Sequence, residues 1–217
     1  MNRILRLNMT EKRVIWQEVP EAYAGLGGRA LSSRLIREEV PPICHPLSAA
    51  NKLVLAPGLL TGAPAANAGR ISVGGKSPLT GGIKESNSGG LVSIKLARLG
   101  IKAVVVEGAP EDNQFSLVKI TKDGVEFLPA DEYVGLGNYD TMARLWERFG
   151  KGVGVMSIGQ AGEKRLTGAS IQFADPKGRP GRAAGRGGLG ALMGAKKLKA
   201  LVVDDQGADP VPLADPE

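Results

Sequence analysis

Asn87-Ser88-Gly89-Gly90-Leu91 and Gly185-Arg186-Gly187-Gly188-Leu189 are two versions of one glycine turn, about one hundred positions apart. Each follows a short apolar run, Ile71-Ser72-Val73 in the first case and Ala169-Ser170-Ile171 in the second. Each also opens a helix-like stretch that leads into a strand, Lys102-Ala103-Val104-Val105-Val106 and Lys199-Ala200-Leu201-Val202-Val203. A unit of this length that occurs twice is a folded half copied once rather than a solenoid repeat. A pseudo-two-fold domain is therefore expected, with its two glycine turns facing each other.

Adjacent glycines let a backbone approach a ligand with no Cβ in the way. At a helix start, the free N–H groups and the positive dipole end then point at that ligand. Phosphate is the usual guest, and arginine grips it with two parallel hydrogen bonds. Arg70, Lys76, Arg179, Arg182 and Arg186 surround the two turns. For one loop alone, tight turns with a solvated basic rim explain the pattern equally well; two matched loops favour a ligand.

At 217 residues the chain can bury a good core, and 42% hydrophobic content with 31 glycines describes a globular, turn-rich protein. The net charge of +6 implies an anionic partner. Aromatics make up only 4%, and the basic residues are spread among turns, so a small phosphorylated ligand is expected and nucleic acid is not. No apolar run approaches the roughly twenty residues of a membrane span, and residues 1–8 lack the core of a signal peptide, so a cytoplasmic location is expected. Cys44 and His45 are the single cysteine and the single histidine, too few for a zinc or iron–sulfur site.

The run patterns predict a β-rich α+β chain. Ile4–Asn8 pairs with Val14–Val19 in one hairpin, and Phe115–Ile120 with Gly124–Leu128 in another. Helices are expected from Arg29 to Glu39, stopped by Pro41-Pro42, and over Asn138–Phe149, where Met142, Leu145, Trp146 and Phe149 share one face. Lys52–Ala56 and Val153–Gly159 read as strands, and Pro57–Gly69 as irregular. Residues 1–203 form the expected domain, and the acidic, proline-rich 204–217 reads as a linker, making the chain a fragment or a subunit whose tail docks elsewhere. The carboxylate pairs Glu38-Glu39, Asp131-Glu132 and Asp204-Asp205 read as solvated, and no residue stands out as a general acid or base.

Gly58-Leu59-Leu60-Thr61-Gly62, Ala68–Val73, Lys76–Gly82, Ser86–Gly90 and Gly181–Gly194, together with Ile4–Asn8 and Glu38–Pro42, closely resemble the N-terminal domain of tungsten-dependent aldehyde:ferredoxin oxidoreductases. The resemblance runs from Ile4 to about Val203. It implies two β-sheets about a pseudo-two-fold axis, forming a saddle for a tungsten bis-pyranopterin whose phosphates are bridged by magnesium. It places backbone carbonyls of Asn87 and Ala183 nearest the magnesium, with Ala184 as the register alternative. Arg70 would contact the pterin on the side toward a [4Fe–4S] cluster, and Arg182 would lie near a pterin phosphate. Lys76, Ser88, Gly89, Gly90, Gly185 and Arg186 would belong to the same loops.

In that family the cluster cysteines lie in later helical domains, which this chain would need as covalent neighbours or as a cysteine-rich partner subunit. Ferredoxin would receive the electrons of aldehyde oxidation through the complete enzyme, and the chain alone would be inactive. Leu91-Val92-Ser93-Ile94 departs from the stretch usual after the first turn. A non-redox module for a phosphorylated pterin or nucleotide, and an inert remnant, are the alternatives. A saddle left uncovered would favour a homodimer.

Overall fold

The computed structural model describes residues 3–212. Strands β1 (Arg3–Asn8) and β2 (Arg13–Glu18) form the first hairpin; a short 3-10 turn at Glu21–Tyr23 then leads to helix α1 (Gly28–Glu39). Strands β3 (Leu53–Pro57), β4 (Ile71–Lys76) and β5 (Ile83–Ser88) follow, then helix α2 (Val92–Arg98) and strand β6 (Ile101–Glu107). The second half repeats the order: hairpin β7 (Ser116–Ile120) and β8 (Val125–Pro129), 3-10 turn Asp131–Tyr133, helix α3 (Asn138–Phe149) and strand β9 (Gly154–Ser157). After a one-turn helix, α4 (Gln160–Glu163), come β10 (Ile171–Phe173), β11 (Arg182–Ala184), α5 (Leu189–Ala195) and β12 (Leu198–Val203).

The two six-stranded sheets have the same order, β2-β1-β6-β3-β4-β5 and β8-β7-β12-β9-β10-β11, so the expected duplication is present down to strand order. In each, the last strand of the half inserts parallel to the first, β6 on β1 and β12 on β7. Even the irregularities match: Lys102 is bulged out of the β1–β6 pairing and Lys199 out of the β7–β12 pairing. A bulge re-aims its side chain. Lys102 donates to Ala24 O (2.9 Å), while Lys199 donates to Leu136 O (3.1 Å), Ile158 O (2.7 Å) and Glu163 (2.5 Å). Each buried lysine thus ties a central strand to the turn that precedes its half's long helix.

Helices α2 and α5 lie between the sheets, each touching strands of both halves. Their Val92, Leu96, Leu189, Leu192 and Met193 share the main core with Leu5, Leu55 and Val73 of one sheet and Leu201 of the other. Helix α1 covers the outer face of the first sheet, where Leu31, Leu35 and Ile36 meet Ile4, Val54 and Val105. Burial on both faces explains the nearly continuous apolar strands seen in the sequence.

Two of the carboxylates expected to be solvated need correction. Glu39 is not solvated: it binds Arg6 (2.6 Å) and Lys52 (2.6 Å) beneath α1, while Glu107 joins the same network through Lys52 (3.0 Å). Burial pushes the Glu39 carboxyl up, but the hydrogen bonds from Arg6 and Lys52 outweigh it and hold it below its ordinary value. Asp205 is equally engaged, its side chain 9% exposed and paired with Lys95 and Arg98 of α2. Burial is opposed by those cations, which hold Asp205 low. Both pairs were illegible because their partners lie far away in sequence.

Candidate functional site

Edge strands β5 and β11 close the two sheets and face each other. They are stitched by the Arg186 N–H on Ser86 Oγ (3.2 Å) and by Ser77 Oγ–H on Gly187 O (2.7 Å). The strand registers give an internal ruler. In the first sheet Val104, Leu55, Val73 and Ser86 lie side by side. In the second the same row is Leu201, Met156, Phe173 and Arg182. One step along, Asn87 beside Ser72 matches Ala183 beside Gln172. The two proposed magnesium positions are therefore pseudo-two-fold mates.

That ruler also corrects the sequence alignment. Ile71–Val73 corresponds to Ile171–Phe173 rather than to Ala169–Ile171, and the second turn holds one more residue than the first between strand and helix. Matching the glycine letters hid both shifts. A second repeated string, Glu21-Ala22-Tyr23-Ala24-Gly25-Leu26-Gly27 and Asp131-Glu132-Tyr133-Val134-Gly135-Leu136-Gly137, was available as a further signal and fixes the start of the long helices.

A groove runs along this edge in two adjoining cavities of about 570 and 650 Å³. Arg70 lines the first and Ala183, Gly185 and Arg186 the second, with Asn87 common to both. Arg70 Nε donates to Asn87 Oδ1 (2.5 Å), Ser72 Oγ donates to Glu85 Oε1 (2.7 Å), and Arg29 Nε lies 3.3 Å from Glu85 Oε2. Gly89 sits between the arginines: a Cβ there would lie 3.6 Å from Arg70 Nη1 and 3.9 Å from Arg182 Cδ. Arg182 and Arg186 are exposed, and among the described residues neither side chain has a carboxylate partner.

Not every candidate joins them. The Lys76 ammonium is spent on Pro42 O and Cys44 O (2.7 Å), where it holds the loop after α1, so it does not face the groove. Arg179 is folded onto Asp175 (3.0 Å). Ser88 and Ala184 are buried behind the groove, although Ser88 Oγ has no hydrogen-bond partner, and Gly90 packs against Ala174. Conversely, Arg29 and Glu85 line both cavities but stand outside the sequence-based candidates. Only the fold carries the start of α1 to β5.

This donor set suits an anion better than a bare metal. Gly187 and Gly188, expected to face the ligand, are instead covered by Lys84 and Thr167, but the unpaired guanidinium groups beside the open backbone of Gly89 and Gly185 demand negative charge, and among the described residues no three His, Cys, Asp or Glu side chains converge as metal ligands. No helix among them is long and apolar enough to cross a membrane.

Comparison with known proteins agrees with this architecture. The family described as the N-terminal domain of aldehyde ferredoxin oxidoreductase matches residues 4–205. The chain is 39% identical over 216 residues to the tungsten-containing aldehyde ferredoxin oxidoreductases of Pyrococcus furiosus and Thermococcus kodakarensis. Those matches cover 98% of this chain and 34% of each relative, so the chain spans about a third of their length. The solved active site complex BamBC of benzoyl coenzyme A reductase, in complex with 1,5-dienoyl-CoA, superposes with a TM-score of 0.85 at 30% identity, over 93% of this chain and 30% of that one. With a matched family spanning nearly its whole length and a solved relative of the same fold, this chain belongs to the aldehyde ferredoxin oxidoreductase family, as its N-terminal domain.

Proposed function

We propose that the groove between β5 and β11 holds the phosphate-bearing part of a tungsten bis-pyranopterin, as one component of an enzyme that oxidises aldehydes. The reading is carried by one observation: Arg70, Arg182 and Arg186 gather around two glycine turns set in matching registers of facing edge strands. Arg70 and Arg182 neutralise phosphate on either side of Gly89, and Arg186 does so beside Gly185. Uncovered backbone at Gly89 and Gly185 completes the cradle, while Lys76 has a structural role. A magnesium ion would be held by the backbone carbonyls of Asn87 and Ala183 together with phosphate oxygen, the hard ligands that cation prefers.

When bound, the tungsten and its pterins supply the redox chemistry by which an aldehyde and water give a carboxylic acid, two electrons and two protons. This chain's residues bind and orient. Asn87 Oδ1 fixes the Arg70 guanidinium at Nε and leaves its two remaining nitrogens for the ligand. With Cys44 as its one cysteine, the chain cannot ligate a [4Fe–4S] cluster alone. Electron delivery through such a cluster to ferredoxin is assigned to helical domains or a partner subunit beyond this chain.

Titration calorimetry with magnesium pyrophosphate tests the cradle on the full chain. Arg70→Ala and Arg182→Ala should each weaken binding about 10–100-fold, the scale of a charge-assisted hydrogen bond. Arg13→Ala, whose guanidinium pairs with Glu11 at the surface, should leave it unchanged. Equal affinity for wild type and Arg70→Ala would refute the assignment.

A further inference from the structure

Residues 204–212 are ordered against the domain, and their contacts converge on the support of Arg70. Asp204 N–H extends the sheet by one bond to Ile120 O (2.9 Å), and the chain reverses through Gly207, where φ is 75°. Asp205, almost buried, then grips Lys95 and Arg98 (3.0 Å) on the outer face of α2. Beyond the reversal, Val211 lies on Gly62, where a Cβ would come within 2.4 Å of Val211 Cγ2 and 3.5 Å of Ala97 Cβ. Tail, loop and helix therefore meet at one point.

The loop in question runs from Gly58 to Arg70 and places Arg70 in the groove. Its lower part is closed by Thr61 Oγ, which bonds Ala68 O (3.0 Å) and Arg70 O (3.3 Å). Its upper part leans on α2: a Cβ at Gly69, next to Arg70, would lie 2.9 Å from Ile94 Cδ1. The same helix begins two residues after Gly90. One helix face thus supports both sides of the first turn, and Asp205 clamps that face from outside. Spaces of about 460 and 550 Å³ flank Pro210 and Val211, so the strap is held at few points. Elements with few buried contacts open most easily.

We propose that Asp205 and Val211 form a positioning strap that fixes the Arg70 loop and α2, so that the placement of Arg70 is coupled to the chain leaving the domain. The anion-binding part of this rests on the function proposed above; the mechanical part does not. Ion pair and apolar contact have separate roles: Asp205 fixes the helix, Val211 fixes the loop.

Hydrogen exchange on the full chain separates strap from scaffold. Asp205→Asn and Val211→Gly should each accelerate exchange in residues 58–70 about 10-fold, while β6 and β12 keep wild-type protection. Pyrophosphate affinity should fall about 3–10-fold in both variants, with no further loss when either is combined with Arg70→Ala, because the strap acts through that residue. Should either substitution also loosen β6 and β12, Asp205→Glu and Val211→Ala provide the milder comparison. Unchanged exchange in residues 58–70 would overturn the proposal, as would an additive affinity loss in the Arg70→Ala background. If the wild-type chain binds no pyrophosphate, the anion reading fails while the exchange result still decides the strap.

Discussion

Replacing Gly90 by alanine would test whether the first glycine turn is built for close contact between the two halves. Gly90 has φ of 108°, a conformation that L side chains rarely adopt, and forcing one there costs about 1–3 kcal/mol. The added Cβ would also stand 2.8 Å from Ala174 O and 3.2 Å from Phe173 Cβ, atoms of the opposite half. Ala174 O is backbone and cannot rotate away. Relief requires the turn to withdraw, which breaks the bond from Leu91 N–H to that oxygen (3.3 Å) and removes about 1 kcal/mol more. Together these predict a loss of about 2–4 kcal/mol, a large share of the roughly 5–15 kcal/mol that holds a typical domain folded. Urea denaturation measures it directly, with the midpoint shifted and the slope unchanged. Gly82→Ala is the control, since that glycine has nothing within 4 Å of its Cβ position and should stay within about 0.5 kcal/mol of wild type. A Gly90→Ala variant as stable as Gly82→Ala would refute the close-contact reasoning.

Lys196→Met should destabilise the fold by about 2–4 kcal/mol in the same assay, because the buried ammonium caps Ser48 O, Ala49 O and Asn51 O, which methionine leaves bare. Burial pushes Lys196 down to about 8, against the pull of Glu107. Between that pH and the ordinary lysine value of 10.5 the unfolded chain holds more protons, so wild-type stability should rise with pH across this window, with a smaller slope in Lys196→Met. Glu39 has the opposite placement: its depressed pKa gives stability that is present above about 4.5 and lost as pH falls through the folded value. Glu39→Gln should therefore flatten the acid limb of a stability–pH curve. Glu163→Gln removes the carboxylate paired with the buried Lys199 ammonium (2.5 Å) and should lower stability; an unshifted thermal midpoint at pH 7 would show the pairing to be dispensable.

The long helices and central strands were legible because their apolar spacing is local. Leu31, Leu35 and Ile36 in α1 and Met142 and Leu145 in α3 are buried at helical intervals. Val104–Val106, a β-branched run, reads as a buried strand and is one, covered on both faces. Basic residues were harder to sort. Arg70 and Lys76 look alike beside glycine turns, yet β4 carries one into the groove and the other under the Pro42–Cys44 loop. A charge announces its chemistry in the sequence but not its partner, as Glu39 with Arg6 and Asp205 with Lys95 also show.

From its sequence alone, this protein has a duplicated, β-rich body with two glycine turns, an anion-seeking basic balance and too few cysteines and histidines for a zinc or iron–sulfur site. Each of these follows from residue type and local spacing. The tertiary structure alone decided that Asn87 and Ala183 are mates, that Arg29 and Glu85 share the groove, and that Asp205 and Val211 reach back to the Arg70 loop. Those relations depend on strand register, where one added residue in a turn shifts every later partner, and on contacts between segments far apart in the chain, which leave no periodicity to read.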